Sequence, residues 1–225
     1  MDTTPKMART AGLLYVVYII MHIFSDLAGR AGIIEYANAA ATAQNILESG
    51  WQFRLGLVTD LSAALLFLLA AWALYVLLKP VNNTLALLFL LLNLGGVAVQ
   101  SFSNIFLISS HLLLNNPDFA LAIPANQLHA QVLFFLHLHK NGFMIAQIFY
   151  GAWLFPLGYT VYTSGFLPRA LGIIIMVHSA FWLMTFLQFF LFPSFTALTY
   201  VSYPLGLIAE AGLGLWLLII GAKKS

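Results

Sequence analysis

The sequence predicts an all-α fold: a polytopic integral membrane bundle of six transmembrane helices, with short amphipathic helices on its outer surface. Three observations carry this. Of 225 residues, 62% are hydrophobic and 7% are charged, against about 25% charged in soluble domains, and so few charges cannot coat a water-facing surface of this size. Six apolar runs reach the length of about 20 residues that a helix needs to cross about 30 Å of hydrocarbon. Most of the Lys and Arg residues flank those runs, where a bilayer lets them reach water.

A backbone in hydrocarbon must satisfy its own hydrogen bonds, so such runs form helices. Spans are expected at about residues 11–28, 55–78, 85–113, 142–162, 170–192 and 196–221. Lys6 and Arg9 precede the first in the manner of a signal peptide. That run nevertheless contains His22 and Asp26, is too long for an h-region and lacks a clean small-residue cleavage site, so it is read as a helix. Pro80 and Pro168 mark the two short inside turns, because a helix does not continue through proline. Ile33, Ala37, Ala40, Ala41 and Leu47 suggest an amphipathic surface helix between Ile33 and Glu48. Leu128, Val132, Phe135 and Leu136 suggest another over residues 126–139, ahead of the fourth span. With no linker or low-complexity segment, residues 1–225 read as a single membrane domain. The aromatic residues, five Trp among them, read mostly as lipid-facing and interfacial surface.

The same composition argues against several functions. The formal net charge of +2 comes from scattered Lys and Arg, with no basic face to follow a phosphate backbone, so no nucleic-acid partner is expected. The partner is the lipid bilayer, with a homo-oligomer left open. The absence of Cys removes disulfides, thiolate catalysis and Cys-based metal sites. His137 and His139 lie about 200° apart on a helix and cannot share one ion there; His22, Asp26, Asp60 and an outer-segment His could supply ligands but match no motif, and His22 and His178 lie at opposite depths for a haem, so no metal and no cofactor are assigned. Neither Gly-x-Ser-x-Gly nor His-Glu-x-x-His occurs, so no catalytic residue is assigned.

Ionisable residues inside spans cost about 2.5 to 3.5 kcal/mol each, which makes them the place to look for function. His22 and Asp26 share one face of the first span near its outer end. Asp60 lies six residues into the second span, with Arg54 at its outer boundary. Asn104 and Gln100 of the third span and Gln147 of the fourth fall at matching depth. The expectation is one inward-facing polar cluster of His22, Asp26, Arg54, Asp60, Asn104 and Gln147, either a ligand site or an ion-pair network that only fixes helix packing. In the sixth span Glu210 follows Pro204 by six residues, and His178 of the fifth can reach similar depth. These two are proton-responsive candidates, with Glu210 expected to be protonated and to donate to His178 or to the carbonyl that Pro204 frees.

Several stretches carry a resemblance. They are Arg9-Thr10-Ala11-Gly12-Leu13-Leu14-Tyr15, Phe53-Arg54-Leu55-Gly56, Leu74-Tyr75-Val76-Leu77-Leu78-Lys79-Pro80, His139-Lys140-Asn141-Gly142-Phe143 and Ser164-Gly165-Phe166-Leu167-Pro168-Arg169. Together they resemble the bacterial membrane family DUF4386, a domain of unknown function. The resemblance implies a multi-pass protein of the bacterial inner membrane and brings no activity with it. Relatives often carry an Arg in the third span, where this chain reads Leu92-Asn93-Leu94-Gly95. The sequence thus supports a small permease or binding protein for an ion or a small polar or amphiphilic molecule. The alternatives are a structural or sensory accessory protein and an intramembrane hydrolase-like enzyme.

With both termini cytoplasmic, Lys6, Arg9, Lys79, Arg169, Lys223 and Lys224 lie inside, while Arg30, Arg54 and Lys140 lie outside. That six-to-three bias selects the N-in, C-in orientation. A reporter fused after Ser225 should therefore report cytoplasm, and one within residues 115–126 the exterior; the reverse pattern would overturn the orientation.

Overall fold

The computed structural model of the protein describes residues 4–222; Lys223 and Lys224 lie outside the described residues. Among those described, six helices are long and apolar enough to cross a membrane: Pro5–Gly29, Gly50–Leu78, Asn83–Asn115, Ala125–Thr163, Arg169–Leu191 and Ala197–Ile219. In chain order the elements are α1 (Thr4–Gly29), α2 (Ala39–Glu48), α3 (Gly50–Leu78), α4 (Asn83–Asn115), α5 (Pro117–Ala122), α6 (Ala125–Thr163), α7 (Arg169–Leu191), α8 (Ala197–Gly206) and α9 (Gly212–Ile219). A π-helical turn over Leu207–Ala211 joins the last two.

The helix ends follow local chemistry. Gly32 (φ 78°) and Gly165 (φ 75°) take the left-handed conformation that L side chains avoid, so the chain turns there after α1 and α6. The Asn82 side chain accepts from the Leu85 N–H at 3.0 Å at the start of α4, and Asn38 does the same for Ala41 at the start of α2. That cap sets the phase of α2. Thr42, Ala43 and Ile46 turn inward while Ala40 and Leu47 stay exposed, so the apolar face differs from the expected one. The expected face rests on alanines, which fit either side of a helix, whereas Gln44 and Glu48, exposed and hydrogen-bonded to each other, mark the polar side opposite Ile46. The expected surface helix over 126–139 is also corrected: it is continuous with the fourth span in the 39-residue α6. Leu128, Val132 and Leu136 form its buried stripe, because nothing between Ala125 and Asn141 breaks a helix. The loop expected over 115–126 carries the short α5, capped by Asn116.

The described chain forms two compact units. The first comprises residues 4–19, 65–98 and 144–222; the second comprises residues 20–64 and 99–143. The core of the first is aromatic. Phe67 stacks on Tyr18 at 4.0 Å between ring centroids and meets Trp153 edge-on at 5.1 Å, and Phe89 lies at 6.3 Å from the same Trp153. Tyr15, Phe67, Phe89 and Trp153 are all buried. The expectation of a surface role holds for Trp51 and Trp72, which are exposed, but not for Trp153. Gly95 and Gly96 receive the rings of Phe149 and Tyr150, a packing role in which a Cβ at Gly96 would come within 2.4 Å of the Tyr150 ring.

The core of the second unit is aliphatic, built from Ile33, Ile46, Phe53, Leu107, Val132 and Leu136 among others. Its α1 and α3 touch backbone to backbone. A Cβ on Gly29 would lie 2.3 Å from the Gly56 Cα, and one on Gly56 would lie 2.6 Å from the Gly29 Cα. The Ser25 hydroxyl donates to the Gly56 carbonyl at 3.0 Å, and the Gln52 amide donates to the Ala28 carbonyl across the same contact. Small residues at helix crossings allow this approach in membranes. Gly56→Ala should therefore cost about 1–3 kcal/mol of stability in detergent by overpacking. Gly50→Ala, with open space around its Cβ, should be close to neutral. Equal stability of the two variants by reversible unfolding would contradict the close contact.

Candidate functional site

The site of the second unit begins on α1. His22, Asp26 and Arg30 recur every four residues, which aligns them along one helix face into its final turn. The Gly29–Gly56 contact brings α3 against that face, and Asp60 follows Gly56 by one turn, so its carboxylate meets the stripe. Arg30 Nη2 lies 2.5 Å from Asp26 Oδ1 and 3.5 Å from Asp60 Oδ1. His22 Nδ1 is 3.7 Å from Asp60 Oδ1, and its Nε2 is 4.0 Å from Asp26 Oδ2. From α4, Asn104 donates to Asp60 Oδ2 at 2.8 Å and Gln100 to Oδ1 at 3.3 Å. Asp60 is thus answered from two other helices while only 2% of its side chain is exposed. Asp26, in contrast, keeps 56% of its side chain exposed.

Burial works against the charge of Arg30, yet Asp60 and then Asp26 outweigh it and hold the guanidinium above its ordinary pKa. Its Nη1 is buried and has no hydrogen-bond partner. Burial also raises the Tyr36 phenol, with Arg30 opposing and Asp26 adding to the shift.

A cavity of about 300 Å³ adjoins this network, bordered by Asp26, Arg30, Ala31, Ile34, Tyr36, His139, Lys140 and Phe143. The Lys140 ammonium lies over the Tyr36 ring at 4.9 Å. His139 Nδ1 sits 3.2 Å from the Ser103 carbonyl oxygen. A carbonyl only accepts, so this bond places the His139 proton on Nδ1. The lining therefore offers a carboxylate, an ammonium and an imidazole beside aliphatic and aromatic surface, a mixture suited to a ligand with both polar and apolar parts.

Of the six residues expected to converge, the structure brings together His22, Asp26, Asp60 and Asn104. Arg54 is elsewhere: its Nε donates to the Gly50 carbonyl at 3.2 Å and its guanidinium lies 5.9 Å from the Trp51 ring. The cation beside Asp60 is Arg30 rather than Arg54. The physical reason is angular, since Arg54 and Asp60 point about 240° apart around α3. Arg30, by contrast, extends the Asp26 stripe by one turn. That i, i+4 spacing from Asp26 is the signal the sequence carries for Arg30. Gln147 belongs to the first unit, where it accepts from Trp182 Nε1 at 2.6 Å. In that unit Glu210 accepts from the Tyr15 hydroxyl at 2.6 Å, a donor the sequence did not suggest, and stands 3.4 Å from His178 Nε2. Asn93 is buried with both amide atoms unpartnered. Among the described residues, no group of three or more His, Cys, Asp or Glu side chains is disposed to hold a metal ion.

Among the described residues, six helices long and apolar enough to cross a membrane define a multi-pass membrane protein. The chain belongs to the family described as Domain of unknown function (DUF4386), which matches residues 10–221. No curated protein and no solved structure matches it.

Removing one member of a buried ion pair leaves the other uncompensated, at a cost of about 3–5 kcal/mol, whereas exposed charges contribute less than about 1 kcal/mol. Arg30→Gln should fall in the first range and Arg54→Gln in the second. Arg30→Gln combined with Asp60→Asn should recover much of the loss. Additive losses in unfolding measurements would refute the pairing.

Proposed function

We propose that the protein is a small permease or binding protein of the bacterial inner membrane, with both termini cytoplasmic, that takes a small polar or amphiphilic molecule into the cavity of its second unit. The observation that carries this reading is that the ion-pair network borders a cavity rather than closing on itself. Asp26 is paired with Arg30 yet more than half exposed, and Lys140 and His139 border the same space. A volume of about 300 Å³ lies at the small end of the range for ligand pockets. Six spans are fewer than two-repeat transporters use, so transport calls for a homo-oligomer in the bilayer.

A second reading, a structural or sensory accessory protein, is favoured by the direct pairing of Arg30 with both carboxylates. Thermal unfolding of the detergent-solubilised chain with hexanoate, hexylamine and leucine separates the two. Ligand binding raises stability by about 2.7 kcal/mol at a hundredfold excess over Kd. The binding reading expects a saturable rise in Tm with at least one probe, lost in Asp26→Asn or Lys140→Gln. No rise with any of the three would favour the accessory role.

A further inference from the structure

The first unit holds an ionisable pair of its own. Pro204 lacks an N–H, and beyond it the helix widens into the π turn Leu207–Ala211, which carries Glu210. Tyr15 of α1, fully buried, donates its hydroxyl proton to Glu210 Oε2 at 2.6 Å. Oε1 stands 3.4 Å from Nε2 of His178 on α7. The His178 ring occupies a space that only glycine leaves open: a Cβ on Gly206 would lie 2.7 Å from its Cε1 and 2.8 Å from its Nε2. The His178 side chain is 1% exposed, and neither ring nitrogen has a hydrogen-bond partner. Three helical segments and one glycine thus place an imidazole with unsatisfied nitrogens against a carboxylate held by its other oxygen.

A carboxylate beside a neutral imidazole would leave a net negative charge in the span, which desolvation penalises heavily. Two arrangements avoid it: a protonated carboxyl beside neutral imidazole, or a carboxylate beside imidazolium. Each contains one proton more than the charged state, and they differ only in whether that proton is bonded to oxygen or nitrogen. Among the described residues, the titratable groups on the Glu210 side are the Tyr15 hydroxyl and, stacked on Tyr15, Tyr18 from α1, while the Phe67 and Trp153 rings carry none; on the His178 side the Trp182 ring packs at 5.2 Å and carries none, with Tyr203 of α8 edge-on beyond it. We propose that Glu210 and His178 form a proton-binding site that holds one proton between them, with Tyr15 anchoring Oε2 so that Oε1 faces the imidazole. Release breaks one O–H or N–H bond and leaves carboxylate and neutral imidazole; uptake restores it. The separation of 3.4 Å exceeds hydrogen-bond contact by a few tenths of an ångström, so a small swing of the imidazole ring closes it. Glu210, with 22% of its side chain exposed against 1% for His178, is the more accessible member of the pair. The proposal is independent of what the cavity of the second unit holds.

The test is a pH titration of the full chain in nanodiscs, following the nitrogen resonances of His178 and the carboxyl carbon of Glu210. The expected result is that both signals respond to one common step in the wild type. The His178 midpoint should move by about one pH unit or more in Glu210→Gln, the signature of coupled sites. Tyr15→Phe, which removes only the hydroxyl, should separate the two responses. Independent midpoints in the wild type, or a His178 midpoint unmoved by Glu210→Gln, would overturn the proposal. If Glu210→Gln fails to fold, the wild-type titration alone decides, because a shared proton cannot give two unrelated curves.

Discussion

A carboxylate cut off from water must be answered by the groups around it, and in the second unit that group is Asp60. The spans offer it no solvent, and an ionised side chain at such a position costs several kcal/mol unless paired. The architecture nearby follows from that demand. Gly29 and Gly56 let two helix backbones touch, and the touch carries Asp60 onto the face where His22, Asp26 and Arg30 are stacked. Asn104 and Gln100, themselves one turn apart on α4, supply the remaining donors. Charge balance and hydrogen-bond satisfaction are thus met by side chains far apart in sequence.

The first unit meets a similar demand with different means. Around Glu210 there is a tyrosine hydroxyl and an imidazole rather than a guanidinium, and the helix that carries the carboxylate departs from α geometry to present it. Its neighbours are aromatic rings, whose faces and edges fill the core without adding charge. A carboxylate beside a full cation is held ionised, whereas one beside a histidine can share its proton. This difference in partner distinguishes the two clusters: a guanidinium beside Asp60, an imidazole and a phenol beside Glu210.

Buried polar groups in both units are satisfied to different degrees. Asp60 has donors on both oxygens, while Arg30 Nη1, Asn93 and both nitrogens of His178 are buried without a hydrogen bond. Buried polar atoms left without partners are costly, so each marks a place where packing or function overrides local satisfaction. At His178 the glycine that admits the ring shows that the placement is built into the backbone. At Asn93 no feature of the surroundings accounts for the unpaired amide.

Composition and run length alone determined the all-α class and the six spans, because the bilayer requires about 20 apolar residues per crossing and forbids unpaired backbone. The grouping of His22, Asp26, Asp60 and Asn104 was also legible, since the helical rise converts sequence position into depth. The angle within one span was legible too, since six residues set Arg54 and Asp60 about 240° apart; which face of one helix meets which face of the next was not, and Arg30 has a direction that only the close packing of α1 on α3 makes useful. The continuity of α6 and the phase of α2 escaped for separate reasons: no residue between Ala125 and Asn141 breaks the helix, and the expected face of α2 rests on alanines, which fit either side of a helix. Tyr15 shows the limit most plainly. A tyrosine in an apolar span is indistinguishable from its aromatic neighbours in sequence, and only the contact between α1 and the π turn makes its hydroxyl the partner of a carboxylate 195 residues away.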